Sequence, residues 1–301
     1  MIDFLQTTEG ALTVACVYIL VGFGWNLVYN ACGYLNLATG EFYILGAILA
    51  VRLQESLGID SVILRGVITL LAIGALAFLC EIVLLRPVGN DMLRALIITL
   101  GLALALLQLA QQLSPEVVIR PEAFISGGSV DIGGVLIAPQ DFIVWGTCLV
   151  VSLGLIYYFT RTDIGRRMRA AVDSPGAARM LGIRVRWYMT GAFTAGAMLA
   201  ALAAFVVAPT QGVTYLQGDI IAITSFMAVA IGGIGKYGGG VIGAFVVALI
   251  QAYLARYWDP AAQQIVILVL FLVVLYVQAV RATPLGGLRI ARLARLGVRG
   301  G

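Results

Sequence analysis

The chain has 301 residues, 61% of them apolar, 11% charged and none histidine, where a soluble domain is roughly half apolar and a quarter charged. That composition excludes a soluble globular enzyme, and the lack of imidazole excludes histidine-based acid–base chemistry and histidine metal ligation. The net charge of +4 comes from arginines near the ends of apolar runs, which points to bilayer orientation and lipid headgroups rather than to nucleic acid.

In chain order, Met1 to Gly10 carries Asp3 and Glu9 and no basic residue, which disfavours a cleaved leader and predicts a retained first span with its N-terminus outside. Nine apolar segments approach the ~20 residues needed to cross hydrocarbon as a helix. They run from about Ala11 to Tyr29, Leu37 to Leu53, Arg65 to Leu85, Leu93 to Leu113, Phe142 to Phe159, Trp187 to Val207, Ile220 to Ile234, Val241 to Tyr257 and Ile265 to Val280. Placing the arginine-rich stretch 161–186 inside also puts Arg86, Arg94, Lys236 and the tail arginines Arg281, Arg289, Arg292, Arg295 and Arg299 inside. Arg52 and Arg65 then flank a short outer loop against that rule, so the second segment reads either as a clean span or as a broken helix. The stretch 114–140 falls outside, and Val130 to Ile137 within it predicts a short β-hairpin over the outer mouth.

The stretch 161–186 holds seven arginines against Asp163 and Asp173. Asp173 or Ser174 can cap a helix that Pro175 opens, and Gly182 suits the left-handed residue that ends it, so the pattern predicts a two-turn helix from Pro175 to Leu181. Its small face, Ala177 and Ala178, and its apolar Met180 and Leu181 beside Arg179 suit a groove on a soluble partner. An ordinary basic loop that only fixes orientation is the alternative.

Polar groups inside apolar spans are expensive and mark candidate pathways. One set is Asn26, Asn30, Asn36, Thr39 and Glu41, with Gly33 and Gly40 weakening helix propensity between them. A second is Thr210, Gln211, Thr214, Gln217, Asp219, Thr224 and Ser225. Two interrupted segments, one in each half, are a transporter pattern. For Asn30, Gln211 and Asp219 a role as interfacial caps is preferred. Gly235, Gly239 and Gly243 recur every four residues and make a smooth packing stripe wherever that stretch is helical, or a turn leading into the helix at Val241. Gly232 to Tyr237 has the look of a phosphate loop, but Tyr237 stands where Ser or Thr would bind magnesium, so no nucleotide site is expected. Cys16, Cys32, Cys80 and Cys148 have no metal-ligand spacing and read as buried small side chains.

Four stretches carry a family resemblance. Asn36-Leu-Ala-Thr-Gly-Glu-Phe-Tyr-Ile-Leu-Gly46, Glu81 to Gly101 ending Leu96-Ile-Ile-Thr-Leu-Gly101, Gly165 to Ile183, and Gly232 to Gly243 together resemble the permease subunits of branched-chain amino acid ABC importers, in order and over almost the whole chain. The resemblance implies a second homologous permease subunit, two ATPase subunits and an extracytoplasmic solute-binding protein as partners. It also makes Gly165 to Ile183 the ATPase-coupling region. Thr39 departs from the pattern, since members commonly carry histidine before Gly40-Glu-Phe-Tyr43.

These readings converge on an all-α integral membrane permease of the bacterial inner membrane, one domain over 1–301, with about eight to nine transmembrane segments, one or two of them broken. Asn26, Asn36, Thr39, Glu41, Thr224 and Ser225 are the expected residues of the solute pathway, and lipid surrounds the bundle. Residues 281–301 form a basic cytoplasmic tail. No catalytic residue, metal or cofactor is expected in the chain, and ATP hydrolysis is expected on partner subunits. Branched-chain or other aliphatic amino acids are the expected solutes. Permeation of urea, amides or aromatic acids, or ion-coupled secondary transport, are the alternatives.

Overall fold

The structure, a computed structural model, describes residues 2–88, 91–114, 118, 120–125, 128–132, 135–163, 165–168, 178, 180, 184–257 and 260–282. Its helices are α1 (Ile2–Cys32), α2 (Thr39–Leu57), α3 (Val62–Cys80), α4 (Met92–Leu113), α5 (Pro139–Arg161), α6 (Val185–Gln211), α7 (Gly218–Gly232), α8 (Tyr237–Tyr257) and α9 (Pro260–Ala282). Strands β1 (Val130–Ile132) and β2 (Val135–Ile137) pair antiparallel, Asp131 opposite Leu136. That is the hairpin expected of the stretch Val130 to Ile137.

Among the described residues seven helices are long and apolar enough to cross a membrane. α2 is set apart by Glu41, Arg52 and Glu55 within its 19 residues, and α9 has a shorter apolar stretch, Ile265–Val277. The helices begin or end several residues from the expected boundaries. α1 starts well before Ala11, because polar Gln6, Thr7 and Thr8 at an exposed helix end cost little, and the two threonines return their hydroxyls to Asp3 and Phe4 carbonyls. α8 starts at Tyr237, because glycines weaken a helix without forbidding it.

The second segment is not broken: α2 is continuous, and the interruption lies before it. Gly33, at φ +74°, ends α1 by returning its N–H to the Tyr29 carbonyl at 2.9 Å, a conformation glycine adopts without steric cost. The unexpected irregularity lies after α3, where Glu81–Leu85 form a π turn and Arg86–Val88 a 3₁₀ turn. Arg65, which breaks the charge rule, is only 2% exposed and lies over the Phe124 ring, 6.0 Å from its centroid.

α1 is the centre of the bundle. In its most apolar window 89% of residues are buried, against 28% in α4 and 22% in α5, so α1 is enclosed by protein while α4 and α5 leave Leu93, Leu104, Leu149 and Val150 outward. α1 packs chiefly on α6 and α8, and also on α5 and α7. The α1–α6 crossing is backbone-close: a Cβ at Gly24 would stand 2.9 Å from the Gly196 carbonyl oxygen. Such contacts fix helix positions in lipid, where apolar burial alone gives little drive for association. At its start α1 is tied to the hairpin by Gln6, whose amide donates to the Leu136 carbonyl at 3.0 Å and accepts from the Leu136 N–H at 3.1 Å.

Candidate functional site

On the hairpin side of the bundle, α1, α7 and α8 diverge around a cleft of about 400 Å³. Thr7, Gly10, Ala11, Val14, Val17 and Tyr18 of α1 line one wall, and Ala248, Gln251, Ala252 and Ala255 of α8 the other. Both sets step by three or four residues, so each is one helix face. Their small side chains leave the space between the helices. Tyr43 of α2, Gln211 at the end of α6 with Gly212 after it, and Gln217, Ile220 and Ile221 around the start of α7 complete the lining. The buried Tyr18 hydroxyl donates to the Gln251 Oε1 at 2.5 Å. Among the described residues this lining has hydroxyls, amides and aliphatic surface and no Asp, Glu, Lys or Arg. It can solvate a small polar or amphipathic molecule, and it offers no nucleophile–base pair.

The expected pathway residues do not line this cleft. Asn26, Asn36, Thr39, Glu41, Thr224 and Ser225 are all buried, and none lines the cleft. Asn36 and Thr39 build the entry to α2: Asn36 Oδ1 accepts from the Ala38 N–H at 3.1 Å, and the Thr39 hydroxyl donates to the Asn36 carbonyl at 2.6 Å. The Thr224 hydroxyl donates back to Ile220 within α7 at 2.7 Å. Ser225 Oγ has no hydrogen-bond partner among the described residues. Asn26 holds the turn between α7 and α8 by accepting from the Gly235 N–H at 2.8 Å, and Asn30 donates to the Gly235 carbonyl at 3.0 Å. Tyr18, Tyr43 and Gln251 were missed. Gln251 carried a signal, as the one amide in the apolar run 241–254; the tyrosines carried none, since aromatic residues are ordinary in spans.

Of the glycine stripe, Gly239 and Gly243 belong to α8, whereas Gly235 sits in the turn at φ +85°, which only glycine takes readily. The stripe is therefore two residues long on the helix. Cβ atoms at Gly239 and Gly243 would stand 1.9 Å from the Gly232 carbonyl oxygen and 2.0 Å from that of Ala228, so α7 and α8 meet backbone to backbone.

On the opposite side, Arg166 pairs with Asp163, and that guanidinium holds the exposed Asp163 carboxyl below its ordinary range. Asp173, Ser174, Pro175, Ala177, Arg179, Leu181 and Gly182 lie outside the described residues. Ala178 and Met180 are helical, but Ala178 is 2% exposed, packed in the chain's own core, while Met180 is 89% exposed. Ala178 is thus corrected from a presented residue to an internal one, because neighbours in a helix point in different directions.

The profile of the family described as branched-chain amino acid transport system / permease component matches residues 7–275. The chain is 30% identical over 286 residues to the high-affinity branched-chain amino acid transport system permease protein BraD of Pseudomonas aeruginosa, covering 89% of this chain and 93% of that one. It is 27% identical over 288 residues to the permease protein LivH of Salmonella typhimurium, covering 91% and 93%. Among solved structures it resembles PsaBC from Streptococcus pneumoniae in complex with Fab, with a TM-score of 0.51 and 16% identity over 90% of each chain, a likeness of fold.

Proposed function

The chain belongs to the branched-chain amino acid transport permease family, and from that premise we propose that it forms half of the solute pathway of an ATP-driven importer in a bacterial inner membrane. A second homologous permease forms the other half, two ATPase subunits supply the energy, and an extracytoplasmic binding protein delivers the solute. The observation that carries this reading is the cleft between α1, α7 and α8, whose walls are uncharged but dotted with amides and hydroxyls. An aliphatic amino acid fits such walls, because its side chain meets alanine, valine and isoleucine while Gln251, Gln211 and Gln217 replace part of the water around its head group. An ion-coupled transporter would need ionisable groups along the same walls. A lining this neutral selects weakly, so recognition of the aliphatic side chain is delegated to the binding protein.

The test is ATP-dependent uptake of labelled leucine by the importer reconstituted with its partners, together with leucine titration of the permease complex and of the binding protein separately. Uptake is expected, with tight binding confined to the binding protein. Micromolar binding to the permease complex alone would refute delegated recognition, and failure of every aliphatic amino acid to bind the cognate binding protein would refute the solute class.

A further inference from the structure

Glu41 stands in the first turn of α2, 1% exposed, and its Oε2 has no hydrogen-bond partner among the described residues. Among the described residues no arginine or lysine is paired with it. Its charged neighbour is another acid, Asp219. A buried carboxyl oxygen without a donor is costly in any family of folds, and here the surrounding backbone is shaped to keep it. A Cβ at Gly218 would lie 2.6 Å from Glu41 Oε1, and a Cβ at Gly40 would lie 2.1 Å from the Gly218 carbonyl oxygen. At Gly40 the obstacle is backbone, so glycine there lets α2 and α7 close around the carboxyl.

The place matters as much as the vacancy of partners. Gln217 and Ile220, on either side of Gly218 and Asp219, line the cleft, as does Tyr43 two residues beyond Glu41. The carboxyl therefore sits behind the wall of the cleft with one turn of α7 between. What it lacks is a positively charged donor. A metal ion is a poor guest, since the described residues hold no group of three metal-binding side chains. An ammonium group, with its three N–H donors, fits.

We propose that Glu41 receives the ammonium group of the solute as α7 moves aside, so that the permease itself reads the charged end that every amino acid shares. This rests on the import reading above, and leaves recognition of the side chain to the binding protein. Glu41→Gln in the reconstituted importer, which keeps the shape and removes the charge, should lower ATP-driven leucine uptake about tenfold or more. Glu41→Asp, which keeps the charge, should retain most of it. In saturation-transfer NMR on the detergent-purified importer, isopentylamine should give signals with the native protein and lose them with Glu41→Gln, while isocaproate gives none with either. Uptake by Glu41→Gln within about twofold of native, or equal signals from amine and acid, overturns the assignment. If the native importer carries no aliphatic amino acid the import reading falls, and the preference for amine over acid still decides the role of Glu41.

Discussion

Gly239→Ala should destabilise the bundle at the α7–α8 contact. The new Cβ would lie 1.9 Å from the Gly232 carbonyl oxygen, where ordinary contact begins near 3.4 Å, a shortfall of about 1.5 Å. The obstructing atom is backbone in a helix, so no rotamer change relieves it; one helix must shift. Such a shift would also strain the Gly235 turn that Asn26 and Asn30 hold. Overpacking of this kind costs roughly 1–3 kcal/mol, and the rigid obstacle places this site near about 3 kcal/mol, a more than hundredfold change in the folded-to-unfolded ratio. Gly238→Ala is the control on the same helix. A Cβ there meets nothing within 4 Å, so the change should be neutral or stabilise by about 0.4–1 kcal/mol. Denaturant titration of the detergent-solubilised protein, followed by tryptophan fluorescence, separates the two. Equal midpoints for Gly239→Ala and Gly238→Ala would show that α7 and α8 are not in backbone contact.

Asn26→Ala leaves the half-buried Gly235 N–H without its acceptor and should cost about 1 kcal/mol in the same titration; a change no larger than that of an exposed alanine substitution would remove Asn26 from the turn. Cysteines at Ser129 and Arg167, both exposed, should be labelled by an impermeant thiol reagent from opposite faces, Ser129→Cys from outside and Arg167→Cys from the cytoplasm. Labelling of both from one face would overturn the orientation. Met180→Glu should insert and assemble yet lose solute-stimulated ATP hydrolysis, whereas Ala178→Glu buries a charge in the chain's own core and should reduce the amount of folded protein. Normal yield of the Ala178 variant would contradict that burial.

Composition and run length alone determined that this is a polytopic helical membrane protein, because the cost of exposing backbone to hydrocarbon leaves helices as the outcome for long apolar runs. Local chemistry also set the hairpin at 130–137 and the glycine breaks at Gly33 and near Gly235, since turn conformation depends on the residues in the turn. The four motif stretches carried the family, which the match over residues 7–275 establishes. What the sequence left open is which polar side chains share a space. Asn36 and Thr39, expected along the pathway, form hydrogen bonds at the entry to α2, while Tyr18 meets Gln251 across 233 positions of chain. The cleft exists because the small faces of α1 and α8 come opposite each other beside the start of α7. That juxtaposition depends on where helices cross, and the crossings are set by backbone-close contacts such as Gly24 on Gly196 and Gly239 on Gly232. Hydropathy is a property of one segment, whereas a crossing is a property of two, so only the tertiary structure could decide it.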